Sequence, residues 1–280
     1  MNLRFVNCLG PSGHYRLAYR EWQGPKGAPT LLCVHGLTRN SRDFDTLAHA
    51  MSATHRVVAP DMPGRGESDW LAGPGEYSYP VYLQAITTLI ARLDVEKVDW
   101  VGTSMGGLIA MVLGATPGHP IRRLIINDAS TVIPKAFSQR LATYVGLTMH
   151  FDTVEALEAS ARLAYAPQRD LSDAQWRQVA LAGAKANANG GFDLAYDPRS
   201  GDAFRASEPA DVVLWPRWDK LDCPTLLLRA TESPLLRREE AVEMVLRGPK
   251  PRLVEWEGLA HPPFLMNEEQ MGEVRGFLAG

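Results

Sequence analysis

Several protein classes require features that this 280-residue chain lacks. It has three cysteines, Cys8, Cys33 and Cys223. Their odd number, without Cys-x-x-Cys spacing or a paired histidine motif, argues against a disulfide framework and reads as buried free thiols in a reducing compartment. No apolar run approaches the roughly 18 residues of a membrane span. The opening MNLRFVNCLGPSGH has one arginine and no apolar stretch of signal-peptide length, so no secretory signal and a cytoplasmic location are expected. Charge of one sign is also scarce: 29 basic against 32 acidic residues leave −3 with no long run of either. The basic stripe that tracks phosphate backbones therefore has no source, and nucleic acid is not an expected partner. No His/Cys/Asp/Glu cluster with metal-ligand spacing is present, and the glycine-rich Gly102 to Gly107 stretch lacks both the lysine of a P-loop and G-x-G-x-x-G spacing, so neither metal nor nucleotide cofactor is expected.

What is present is the composition of a globular protein. Hydrophobic residues make up 45% and charged residues 22%, which leaves no room for a disordered or collagen-like chain. Seven short apolar or alternating runs read as strands: Tyr15 to Trp22, Thr30 to Val34, Arg56 to Ala59, Lys97 to Val101, Ile121 to Asn127, Thr225 to Arg229 and Arg252 to Trp256. Helical patterns lie between them at Phe44 to Ala53, Val81 to Leu93, Leu108 to Ala115, Glu239 to Leu246 and Glu268 to Leu278. Alternation from Thr30 onward predicts an α/β fold, a mostly parallel sheet with helices on both faces. The alternation breaks between about Thr131 and Trp218. Helical patterns at Ala136 to Met149, Val154 to Ala164 and Asp173 to Ala186, followed by the turn-rich NANGGFDLAYDPRSGD, predict an inserted helical cap over residues 131–216. The core is then 1–130 with 217–280. Trp215 and Trp218 mark the return to the core as packing anchors.

The stretch with most chemical content is Gly102-Thr103-Ser104-Met105-Gly106, a G-x-S-x-G pattern between a strand and an apolar helix. A strand that turns at once into a helix strains its central residue and leaves no room for side chains two positions away on either side. Ser104 is thereby presented at the strand tip, at the positive end of the following helix. A second strand ends in Val34-His35-Gly36-Leu37. A tetrahedral intermediate needs two donors aimed at one oxygen, and the backbone N–H groups of Leu37 and Met105 are placed to supply them. His35, followed by glycine, reads as a loop-shaping histidine. Serine also needs a base at neutral pH. Among seven histidines, His261 lies between the last strand and the last helix, where a side chain can reach neighbouring strand tips. His14, His49, His55, His119 and His150 fall in turns, helix surfaces or the cap.

Together, Cys33-Val34-His35-Gly36, Asp61-Met62-Pro63-Gly64-Arg65-Gly66-Glu67-Ser68, Gly102 to Gly107, Leu124-Ile125-Ile126-Asn127-Asp128 and Ala260-His261-Pro262-Pro263 resemble the α/β-hydrolase fold over nearly the whole chain. The resemblance implies an eight-stranded sheet, a serine hydrolase of the esterase type with a cap, and a nucleophile–acid–histidine order that Ser104 and His261 respect. It implies a structural role for the Asp61 to Ser68 turn. The acid departs from the pattern: most relatives place an aspartate shortly after the strand equivalent to Thr225 to Arg229, where this chain has Ala230-Thr231-Glu232-Ser233-Pro234. Some members, haloalkane dehalogenases among them, place it after the strand equivalent to Ile121 to Asn127, which assigns Asp128, with Glu232 as the alternative. A serine nucleophile disfavours dehalogenation and epoxide opening, which use aspartate at that turn. Carbon–carbon bond hydrolases usually carry a longer glycine-rich segment where this chain has Leu37-Thr38-Arg39-Asn40, and cofactor-free haloperoxidases usually carry an aromatic residue at Leu37. Hydrolysis of small carboxylic esters, thioesters or lactones is the leading expectation. A carbon–carbon hydrolase and a non-catalytic ligand receptor are the alternatives. Tyr144, Met149, Phe151, Tyr165 and Trp176 are expected in the cap, mostly in its own core.

Overall fold

A computed structural model describes residues 1–206 and 210–280; the part of the expected cap at 207–209 lies outside the described residues. The main sheet has eight strands: β1 (Asn2–Gly10), β2 (Gly13–Trp22), β3 (Thr30–Val34), β4 (Arg56–Pro60), β5 (Val98–Thr103), β6 (Ile121–Asn127), β7 (Thr225–Ala230) and β8 (Arg252–Trp256). Their order is β1-β2-β4-β3-β5-β6-β7-β8. β1 and β2 run antiparallel to their neighbours, and the rest are parallel. Parallel strands need covered faces, and the sequence provides for both by simple alternation. Leu32, Val34, Trp100, Leu124, Ile126 and Leu227 face one helical layer, while Leu31, Cys33, Val101, Ile125, Leu226 and Leu228 face the other. Burial of each such aliphatic side chain stabilises the fold by about 1.5–3 kcal/mol.

The first layer includes α2 (Tyr79–Leu93) and α3 (Met105–Gly114), and the second holds α1 (Asp45–Met51). Helix α2 has Pro80 in its first turn and stops at Asp94, whose φ of 58° is left-handed; its buried Val81, Ala85, Ile86, Leu89, Ile90 and Leu93 form one stripe. Helix α3 is buried nearly all round. After the insertion, Ala241 and Met244 of helix Arg238–Leu246 join the first layer, and Met271, Val274 and Leu278 of helix Glu268–Ala279 join the second. β1 is the strand that the alternation did not announce. It is an edge strand paired only with β2 around the Pro11–Ser12 turn, and Leu3, Phe5 and Leu9 point outward while Val6 and Cys8 pack inward.

Between β6 and β7, the described residues form α4 (Lys135–Tyr144), α5 (Val154–Tyr165), α6 (Asp173–Ala182), two short helices at Asp202–Ala206 and Trp215–Trp218, and two small sheets. Beside the helices, which the sequence announced, lie short strands that it did not: His150–Phe151, Phe192–Leu194 and Ala184–Ala186 pair in one sheet, Val132–Ile133 and Val212–Val213 in the other. The three-residue strands are too short to show a period. Helix α6 ends at Ala182, four residues before the sequence pattern suggested, with Gly183 as its cap. A Cβ there would lie 2.3 Å from Nη1 of Arg39, so a side chain at this position would have to displace the buried guanidinium. Trp218 is fully buried and its indole N–H donates to the Met244 and Arg247 carbonyls, as an anchor of the core should. Among the described residues no helix is long and apolar enough to cross a membrane.

Candidate active site

Ser104 sits between the last residue of β5 and the first of α3 with φ 52° and ψ −116°. That conformation costs on the order of 1–3 kcal/mol and persists because its surroundings fix it. Its N–H donates to the Asn127 carbonyl at 3.0 Å, and its carbonyl accepts from Gly107 and Leu108. The flanking glycines are obligatory by contact: a Cβ on Gly102 would approach the Gly106 carbonyl oxygen to 2.5 Å, and one on Gly106 would approach that of Val34 to 2.0 Å.

The loop after β3 lies against this turn, since a Cβ on Gly36 would be 3.5 Å from Cβ of Ser104. His35 is fully buried beneath it. Met62 N–H donates to its Nε2 at 2.9 Å, so Nδ1 carries the proton and donates to the Gly36 carbonyl at 2.7 Å. Burial lowers its pKa to about 3, and the Arg65 and Arg39 charges push the same way, so the ring is neutral. The Asp61 to Ser68 turn closes the loop from behind: Asp61 accepts from Ser41 N–H and Glu67 N–H, and the buried Arg65 donates from Nε to the Leu37 carbonyl at 2.9 Å. Burial raises the Asp61 pKa. Among the described residues, the N–H groups of Leu37 and Met105 donate to no other protein group. Met105 follows Ser104 in the chain, and Leu37 follows the Gly36 that lies against it.

His261 lies on the loop after β8, in line with Ser104. Its Nε2 is 2.9 Å from Ser104 Oγ, and its Nδ1 is 2.7 Å from Oδ2 of Asp128. Asp128 is fully buried at the end of β6, with φ 54°; its N–H donates to Leu228 and its other oxygen accepts from Ala230 N–H at 3.2 Å. Glu232 is exposed, and its N–H donates to Leu259. The structure thus brings Ser104, His261 and Asp128 together and leaves Glu232 outside. The remaining histidines lie elsewhere: His55 faces Asp99, His119 bonds Asp222, His150 bonds Asp193, and His14 and His49 are exposed.

The His261 loop is held from two sides. Asn127 donates to the Pro263 carbonyl at 2.8 Å, and Gln168, from the insertion, donates to those of Ala260 and Pro262 at 2.8 and 3.0 Å. The sequence drew attention to neither Gln168 nor Arg65 as part of the site. Arg65 stands inside a recognisable turn, but Gln168 has no local signal. Of the aromatics expected in the insertion, Phe151 packs with Leu157 and Ala180, Tyr165 and Trp176 meet Phe264 edge-on, and Tyr144 and Met149 are exposed. Among the described residues no group of three or more His, Cys, Asp or Glu could hold a metal ion.

Comparison with known proteins fits this geometry. Residues 31–275 match the alpha/beta hydrolase family. The chain is 40% identical to the 3-hydroxybutyrate-oligomer hydrolase of Cupriavidus necator, over 99% of this chain and 98% of that protein. It is 28% identical to a pimeloyl-[acyl-carrier protein] methyl ester esterase of Neisseria meningitidis, over 91% of this chain and 78% of that one. Among solved structures, a hydrolase from Rickettsia typhi described as putative covers 100% of this chain and 99% of its own at TM-score 0.92 and 27% identity. An alpha/beta hydrolase from Novosphingobium aromaticivorans covers 99% and 98% at 0.89 and 31%. The chain belongs to the alpha/beta hydrolase family.

Proposed function

We propose that this hydrolase cleaves small carboxylic esters through an acyl-enzyme on Ser104, with His261 as base and Asp128 as the orienting acid. The observation that carries the reading is the unbroken hydrogen-bonded line from Ser104 Oγ through both imidazole nitrogens to a buried carboxylate. Ser104 Oγ attacks the ester carbonyl carbon while His261 Nε2 takes its proton. The carbonyl π pair moves onto oxygen, which rests on the N–H groups of Leu37 and Met105. Collapse of the tetrahedral adduct breaks the bond to the alcohol oxygen, which receives the proton from His261. Water then attacks the acyl-enzyme by the same path and releases the acid and Ser104. Asp128 holds the ring with Nδ1 protonated and stabilises the imidazolium in both halves.

We assign residues 131–216 the role of a cap over this site. The name of the Cupriavidus relative suggests oligoesters of 3-hydroxy acids as first substrates to try, since such a chain is a run of carboxylic esters. Three buried free thiols suit a reducing cytoplasm. The test is turnover of short p-nitrophenyl esters and of 3-hydroxybutyrate dimers and trimers. Ser104→Ala and His261→Ala should abolish it, and Asp128→Asn should cost about 10⁴ in kcat as loss of an orienting acid does elsewhere. Glu232→Gln should leave it intact. Absence of both turnover and fluorophosphonate labelling in folded protein would overturn the reading in favour of a ligand receptor. Activity that survives Asp128→Asn and falls in Glu232→Gln would overturn the choice of acid.

A further inference from the structure

Gln168 lies just after α5, 94% buried, in a segment that forms an antiparallel bridge with Leu259. Ala260 N–H donates to the Pro167 carbonyl at 2.6 Å. The two hydrogens of the Gln168 amide go to the carbonyls of Ala260 and Pro262, the residues immediately before and after His261. Its Oε1 is buried and has no hydrogen-bond partner among the described residues. The amide is therefore used as a double donor with its acceptor left unsatisfied. Flipping it would aim an acceptor at two carbonyls, so the orientation is fixed by chemistry. A buried unpaired acceptor lowers stability, and such a group calls for an explanation.

A core residue repeats the arrangement. Asn127 gives its two amide hydrogens to Thr103 Oγ1 and the Pro263 carbonyl, and its Oδ1 also lacks a partner. Three carbonyls around His261 are thus held by two buried carboxamides, one from the hydrolase core and one from the insertion. A ring that must keep 2.9 Å to Ser104 and 2.7 Å to Asp128 needs its backbone fixed to a fraction of an ångström, because small misplacements of a catalytic group cost large factors in rate.

We propose that Gln168 is a positioning residue for His261, so that a side chain outside the hydrolase core sets the geometry of the base. This rests on the reading of His261 given above. The segment around it supports the assignment: Asp170 accepts from Asn267 and Gln270, and Gln175 donates to the Met266 carbonyl, which ties the same stretch to the far end of the His261 loop.

The experiment uses Gln168→Met and Gln168→Glu, both close to glutamine in volume. Neither opens a cavity; the first removes both donors and the second faces a carboxylate toward two carbonyls. With p-nitrophenyl acetate, a substrate too small to need the cap, kcat should fall about 10- to 100-fold, the scale of a roughly 1 Å misplacement. KM should change less than about twofold, as when an interaction is lost only in the transition state. The acid limb of kcat/KM should move to lower pH, because a ring less firmly held against Asp128 has a less stabilised imidazolium. Unchanged kcat and acid limb in either folded variant, or an effect confined to KM for p-nitrophenyl octanoate, would overturn the proposal and leave Gln168 as cap packing. NMR titration of the His261 imidazole in wild type and Gln168→Met gives a readout independent of turnover. An identical titration midpoint overturns the positioning role even if the esterase reading stands. Wild type with no Ser104-dependent turnover but a lowered His261 midpoint in the variant overturns the esterase reading while retaining the Gln168 contact.

Discussion

Helices α4 and α6 belong to the same insertion and are attached in different ways. None of the ten residues of α4 is buried, and its N-terminal Lys135 N–H reaches only the exposed Asp211. Its last residue, Tyr144, and Leu147 and Met149 just beyond it are exposed apolar residues. Helix α6 buries Trp176, Val179, Ala180 and Ala182, and its last turn accepts hydrogen bonds from three side chains of one core loop: Arg39 to Val179, Arg42 to Leu181 and Asn40 to Ala182. The other end of the α6 segment grips the His261 loop. One edge of the insertion is thus continuous with the two loops that flank Ser104, and the other is bound mainly to the insertion itself. Stability and geometry should depend on the α6 edge, and substrate fit should vary at the α4 edge at little cost in stability.

The harshest way to test that contrast is Arg39→Met. Burial alone would lower the Arg39 pKa, but Asp43 raises it, so a charged guanidinium sits between Asp43, the Val179 carbonyl and the rings of Tyr165 and Phe264. Its loss strands a mostly buried Asp43 and unfastens α6. Chemical denaturation should show a loss of about 3–5 kcal/mol, the scale of breaking a buried ion pair. A loss under about 1 kcal/mol would mean that the α6 edge is no firmer than the α4 edge. Gly183→Ala presses a methyl group onto the same guanidinium and should cost about 1–3 kcal/mol in the same assay.

Acid should loosen the α6 side through His35, which lies under the loop that α6 grips. Its folded pKa of about 3 is below its ordinary 6.5. Between those values the unfolded chain binds the extra proton. The contribution of neutral His35 is therefore complete above pH 6.5 and is lost as pH falls toward 3, at up to about 1.4 kcal/mol per pH unit. Unfolding free energies measured from pH 7 to 4 should show a steeper fall for wild type than for His35→Gln. Parallel curves would refute it. At the α4 edge, Tyr144→Ala should alter stability by no more than about 0.5 kcal/mol. Its kcat/KM ratio between long and short acyl esters should nevertheless shift. A large stability loss with unchanged selectivity would invert the comparison.

The parts of this molecule that could be read from its residues share one property, which is that their cause is local. Strands buried on both faces are apolar runs because each side chain meets a helix layer, so β3, β5 and β7 stand out, and the amphipathic edge strand β1 does not. The turn at Ser104 is legible because Gly102 and Gly106 are excluded from carrying side chains by atoms within a few residues or on the adjacent strand. His261 could be singled out from its place after the last strand. The short strands at His150–Phe151 and Ala184–Ala186 could not, since they are defined by Phe192–Leu194 bringing them together rather than by their own pattern.

By itself, then, the sequence determined the layered α/β architecture, the serine turn and the histidine, because backbone sterics and hydrophobic period act over a few residues. Its family resemblance favoured Asp128 over Glu232 without showing the contact, and it was silent on Gln168. Those questions concern pairs separated by 133 positions for His261 and Asp128 and by 92 to 94 for Gln168 and its carbonyls. Hydrogen bonds reach about 3 Å, so only the packing of strand ends and insertion decides which distant groups come within that distance.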